Sequence, residues 1–250
     1  PRLLGGERAL CGDAAAARRH RAHRAVRVHG SVLSRLCRQL DRARLDQALA
    51  QQHIADLNGA ALIESNAQNA LLNTIDGPLT SNRNPLFDDP TNSYPLWASF
   101  TTTDNLKRLN DPRLSKFASP ATDGVSGYRG RPIALGTNEK TYSEENTAVL
   151  PAFFREAVHP IIVFNAAETY FLKAEAVNAG LISGDAQDLY EKGIQASMEQ
   201  YAVDPAAITN YLASPATILS GTEEEKLEQI IVQKWLAIYF QSAEAWTEFR

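Results

Sequence analysis

The chain has 250 residues, 44% of them hydrophobic, and a formal net charge of −4. These values support a real core in one large or two small domains, and so weak a charge excludes the strong basic field of a nucleic-acid-binding protein. No apolar run approaches the roughly 20 residues that a membrane-spanning helix needs, and no phosphate loop or dinucleotide fingerprint is present.

Charge is unevenly spread. Residues 1–50 hold eleven arginines and no lysine against four acids, and contain no Phe, Tyr or Trp. Arg18, Arg19, Arg21, Arg24 and Arg27 suit an RNA-binding helix by charge, but no aromatic residue interleaves them. Out-of-frame translation of GC-rich DNA, or a poorly ordered segment, better explains an excess of Arg, Ala, Gly, His and Cys. Cys11, His20, His23 and Cys37 lack the close paired spacing of a zinc site, so neither metal nor cofactor is expected. We therefore separate an atypical segment, 1–45, from a helical region, 46–250. The chain opens on Pro1 without a signal-peptide core, and reads as part of a longer gene product.

In chain order, Leu45, Ala48, Leu49, Ile54 and Leu57 predict a short helix ended by Asn58-Gly59. Residues 64–82 read as loop or short strand, and the tract from Asn82 to Pro95, with Pro85, Pro90 and Pro95, as an ordered surface loop. Thr103 to Leu114 predicts one or two helical turns closed by Asp111-Pro112-Arg113-Leu114. Residues 119–150 form a long glycine-bearing irregular excursion, and such loops are often functional. From Ala166, Tyr170, Phe171, Ala174, Val177 and Ala179 give a helix with a broad apolar face. Asp185 is the expected N-cap of a second helix lined by Leu189, Tyr190, Ile194 and Met198, so the two form a helical hairpin. Asp204-Pro205 starts another helix, with Ile208, Tyr211 and Leu212 facing inward. Thr222 to Glu225 is a capping box. Behind it Leu227, Ile230, Ile231, Trp235, Ile238 and Tyr239 make an apolar stripe compatible with a helix reaching past Glu244 to Trp246. Lys173, Glu175 and Lys234 read as solvated or snorkelling charges.

The run Ala-Glu-Thr-Tyr-Phe-Leu-Lys-Ala-Glu-Ala (167–176), the Ser-Gly-Asp-Ala segment at 183–186 leading to Tyr201, and Gln229 to Arg250 resemble the SusD/RagB-like family. Asn110 to Leu114 and Gly127 to Gly130 resemble it too, so the likeness covers roughly 46–250. The resemblance implies an all-α fold of tetratricopeptide-like helical hairpins with long irregular loops. It further implies an outer-membrane, lipid-anchored protein that binds an oligosaccharide or other nutrient and sits on a SusC-like TonB-dependent transporter.

Glycan recognition needs flat apolar faces with polar groups at the rim, on loops held by a rigid scaffold. Tyr94, Trp97 and Phe100 fit the first need, with Asn84, Asp88, Asp89 and Asn92 as hydroxyl partners. Tyr128, Arg129 and Tyr142 stand in the second loop. The competing reading is that Trp97 and Phe100 plug the loop onto the helices. Trp235, Tyr239 and Trp246, at helical spacing, read as core packing. Asp88, Asp89, Asp104 and Asp111 are routine loop acids rather than a hydrolytic pair, and His159 has no nucleophile motif to serve, so no enzyme is expected. The alternative function is a tetratricopeptide-like protein-interaction scaffold without a small ligand.

Overall fold

A computed structural model describes residues 60–77, 82–87, 96–133, 141–241 and 245. The helix expected before Gly59, together with Asp88, Asp89, Asn92, Tyr94 and Trp246, lies outside the described residues. Among those described, the helices are α1 (Phe100–Arg108), α2 (Leu114–Phe117), α3 (Ala166–Asn178), α4 (Ala186–Gln200), α5 (Pro205–Leu212) and α6 (Glu223–Ala237). Two short strands, β1 (Ala70–Leu72) and β2 (Ile161–Phe164), pair antiparallel with Leu71 opposite Ile162. The fold is helical, as expected, and the β pair is its small exception.

The chain forms two compact units. In the first, described residues 60–64, 166–194 and 219–241 pack α3 against α6. Alanines make the close approach feasible: Ala166, Ala167, Ala174 and Ala176 are buried beside Phe171 and Leu172. Phe171 meets Tyr190 of α4 edge-on, with centroids 6.0 Å apart. Gly193 permits it, because a Cβ there would lie 2.8 Å from the Phe171 ring.

The expected stripe on α6 is only part of its buried surface. Ile230 and Ile238 are buried, but Trp235 and Ile231 are half-buried, while Gln233 and Lys234 are fully enclosed. Lys234 is not solvated: its ammonium pairs with Glu175 of α3, and the two side chains are 0% and 6% exposed. Burial of either charge alone would be prohibitive, so the two helices meet as a matched pair. Lys173, by contrast, lies nearer the surface and pairs with Glu64. Half-buried Tyr239 packs its ring 4.8 Å from Phe240, and burial pushes its phenol up to about 12. Helix α6 ends at Ala237 rather than continuing to Trp246.

The local capping signals hold. Asp185 accepts the amides of Gln187 and Asp188 at 2.9 and 3.3 Å, and Asp204 those of Ala206 and Ala207 at 2.9 and 3.2 Å. Thr222 and Glu225 bond reciprocally across the first turn of α6.

The second unit comprises described residues from 65–165 and 195–218. Its core gathers Leu106, Phe117, Phe154, Met198, Tyr201, Ile208 and Tyr211. Phe117 and Tyr201 meet edge-on at 4.7 Å. The Asn110-Asp111-Pro112-Arg113-Leu114 run ends α1 and starts α2 by two linked devices. Asn110 takes the left-handed conformation (φ 52°), and Asp111 sends its amide back to Leu106 while Asn110 reaches Lys107, a Schellman closure. The Asp111 carboxylate then takes Arg113 Nε at 3.0 Å and Nη2 at 2.5 Å, and Arg113 Nη1 donates to Ser197 Oγ at 2.9 Å. Arg113 is wholly buried, so this fork anchors the end of α4 through a paired charge.

Gly180 closes α3 in the same left-handed manner (φ 66°), whereas the end of α4 uses Ala202 (φ 50°). A Cβ in that conformation is strained by about 1 kcal/mol. Ala202→Gly is therefore expected to stabilise the protein by about 0.5–1 kcal/mol, read as a higher urea midpoint at unchanged slope. For the buried pair, Glu175→Ala removes the carboxylate facing the buried Lys234 ammonium and should cost about 3–5 kcal/mol. The double change Glu175→Leu with Lys234→Met should recover most or all of it in the same assay. A small effect of the single change would mean that water or another group of the chain stabilises the Lys234 ammonium.

Candidate functional site

The irregular excursion has to pair its backbone polar groups, and it does so against the segment that carries Trp97. Ala98 N donates to Ala148 O at 2.9 Å, Arg131 N to Ala98 O at 2.8 Å, and Phe100 N to Arg131 O at 3.0 Å. Ala148 N donates to Arg129 O at 2.8 Å, and Leu150 N to Leu96 O at 2.7 Å. Isolated bridges join Trp97 to Val149, Ser99 to Arg131 and Ser119 to Val149. The result is a small extended layer built from residues 96–100, 129–131 and 147–150.

Extended backbone sends alternate side chains to opposite faces. Ala98, Ala118 and Ala148 form the inner cluster, each no more than 1% exposed, and Tyr128 is half-buried against it. Gly130 is also on the inside, where a Cβ would lie 2.6 Å from Phe100 Cα. Glycine alone lets this strand lie so close to the start of α1.

The opposite face carries Trp97, Arg129 and Arg131. The Arg131 guanidinium sits 5.3 Å from the Trp97 ring centroid, and that of Arg129 sits 4.3 Å from the ring of Tyr142. All four side chains are half-buried. Phe100, at the first turn of α1, is 50% exposed.

The sequence-predicted residues thus separate. Trp97 lies on the outer face against Arg131, Phe100 follows at the exposed first turn of α1, and Arg129 stacks on Tyr142. Tyr128 belongs to the inner face. Asn84 is buried and bound within the chain: its amide donates to Phe154 O at 2.7 Å and Glu156 O at 2.9 Å, and its carbonyl accepts from Leu86 N at 3.1 Å. It anchors the loop at 82–87. Asp88 and Tyr94 lie outside the described residues. Arg131 was not anticipated, although the Arg-Gly-Arg spacing is the sequence signal that places two cations on one face of an extended strand.

At the edge of the layer, Asp123 closes a turn. Its carboxylate accepts Ser126 Oγ at 2.5 Å and the amides of Ser126 and Val125 at 2.8 and 3.0 Å. These bonds, the Ser126 hydroxyl first, hold its carboxyl below the usual aspartate value. Among the described residues, no cluster of three or more His, Cys, Asp or Glu could hold a metal ion, and no helix is long and apolar enough to cross a membrane.

Comparison with known proteins bears on the chain as a whole. Residues 35–250 match the SusD-like family model described as starch-binding and associating with the outer membrane. A SusD homologue from Bacteroides fragilis superimposes with a TM-score of 0.75 at 26% identity, over 87% of this chain and 52% of that one. A second homologue from the same species gives 0.66 at 28%, over 80% and 48%. A chitin-binding protein gives 0.66 at 25%, over 80% and 46%. The chain thus spans about half the length of these structures. No curated protein matches it.

The Asp123 turn makes a pH prediction. A depressed carboxyl stabilises the folded turn above the ordinary aspartate pKa of about 3.9, and the contribution disappears as pH falls through the lower folded value. The Ser126 amide resonance should therefore titrate below that ordinary value, and Asp123→Asn should abolish the step. A Ser126 midpoint at or above it would contradict the geometry.

Proposed function

The chain belongs to the SusD-like family, and from that premise we propose that it is part of a non-enzymatic, lipid-anchored nutrient-binding protein at the outer membrane. Its ligand is a glycan, and a SusC-like TonB-dependent transporter receives it. The observation that carries this reading is the outer face of the extended layer, where half-buried Trp97 and Tyr142 each lie against a guanidinium, with exposed Phe100 following at the first turn of α1. Aromatic faces with a few placed polar groups are the ordinary chemistry of a sugar site. The structural likeness to a chitin-binding protein agrees with such a ligand.

A tetratricopeptide-like scaffold for another protein is the second reading. It is favoured by the exposed apolar side chains of the β pair, Leu71, Leu72 and Val163. Calorimetry of the full-length protein with neutral and acidic oligosaccharides separates the two. Phe100→Ala, which removes an exposed ring without opening the core, should weaken glycan binding by about tenfold, or about 1.4 kcal/mol. Unchanged affinity in that variant would move the site elsewhere. Absence of glycan binding by the parent protein would favour the protein scaffold.

A further inference from the structure

His159 has no part in the glycan reading, yet it sits where another stretch of the chain is fastened. It ends a tight segment that begins with the helical turn Ala152–Arg155 and runs through Pro160 into β2. The carbonyls of this segment are acceptors for residues 74 and 84. Asn84 Nδ2 donates to Phe154 O at 2.7 Å and to Glu156 O at 2.9 Å, and Asn84 N donates to Ala157 O at 3.0 Å. Thr74 Oγ1, just beyond β1, donates to His159 O at 2.9 Å. The turn closes on itself where His159 N donates to Glu156 O at 3.1 Å. All of these bonds depend on the shape of one short turn.

The His159 side chain folds back onto that turn. Its ring centroid lies 5.2 Å from that of Phe154 and 5.7 Å from that of Phe153. Phe154 is 1% exposed and contacts the Tyr201 ring, at the end of α4, at 6.3 Å. The imidazole therefore covers a core phenyl, a place that suits the neutral ring and penalises the cation. Burial holds its pKa below the usual histidine value, and exposed Glu156 on the same turn opposes this only in part. Arg155, and Asp76 and Arg83 on the fastened stretch, are not among the influences on the ring; the last two pair with each other at 3.2 Å. Helix α4 contributes the Tyr201 phenol, through Phe154.

We propose that His159 is a pH-sensitive catch: protonation of its imidazole lifts the ring from Phe153 and Phe154, loosens the 152–159 turn and releases the stretch held at Thr74 and Asn84. The catch is complete above the ordinary histidine value of about 6.5, and its hold is lost as pH falls from there through the lower folded value. It acts on the scaffold, so it stands whether the ligand is a glycan or another protein.

Amide hydrogen exchange of the full-length protein, expressed as protection factors, tests the catch. Lowering the pH from about 7.5 to about 5 should cut protection of the Asn84 amide at least about threefold, with a ceiling of about tenfold per pH unit for one linked proton. The Ala179 amide, bonded to Glu175 O at 2.9 Å at the end of α3, should keep its protection. His159→Phe leaves an aromatic ring on Phe154 but removes the titration, so Asn84 protection should become level across that range. Should this variant fail to fold, the parent protein decides: the His159 Cε1–H resonance should titrate with a midpoint below about 6.5, and the loss at Asn84 should begin over the same range. Level Asn84 protection in the parent, an equal loss at Ala179, an equal loss in His159→Phe, or a His159 midpoint at or above about 6.5 would overturn the proposal.

Discussion

The constraint on which the site depends is that a long irregular segment cannot leave its backbone amides and carbonyls unpaired where water is excluded. The chain meets it by laying 96–100, 129–131 and 147–150 against one another through five direct main-chain bonds of 2.7–3.0 Å. Once that ladder forms, the twofold alternation of extended backbone sorts side chains without further instruction. Alanines, Gly130 and Tyr128 go inward, while Trp97, Arg129 and Arg131 go outward. The aromatic-arginine surface is therefore a by-product of backbone hydrogen bonding, held against α1 by the absence of one methyl group at residue 130.

The helical parts solve a different problem, the placement of charge inside a helix contact. Lys234 with Glu175, and Arg113 with Asp111, are each buried as pairs. Neither pair is strong support for stability by itself, because desolvation consumes much of the Coulomb attraction. The Lys234–Glu175 pair penalises misregister, since a shifted helix would bury one charge without the other, whereas Asp111 and Arg113, two residues apart, move together. The Arg113 fork has the added role of tying α4, through Ser197, to the turn that follows α1.

Much of the fold could be read from sequence because its signals are local. Asp185, Asp204 and the Thr222–Glu225 box act within three residues, and composition alone exposes them. Burial of Lys234 could not be read in that way, since its partner lies 59 positions away and a lysine among apolar residues more often snorkels. The same limit explains the site. Trp97 and Phe100 stood out as aromatics in a proline-bounded tract. The Arg131–Trp97 stack exists only after a bridge forms between distant segments. Asn84 resembled a rim residue for the same reason that it became an anchor: an asparagine can satisfy backbone groups or ligand hydroxyls, and composition does not distinguish them.

The alternating layer also divides its own sequence into two classes of position. Inward residues such as Ala98, Ala148 and Gly130 are bound by space: a larger side chain has nowhere to go. Outward residues such as Arg129 and Arg131 are only half-buried and are not bound by space in that way. Positions 129 and 131 can exchange guanidinium for carboxamide or hydroxyl while the ladder beneath them stays intact. Substitution at 129 and 131 can thus alter the outer face while Gly130, between them, stays the fixed point.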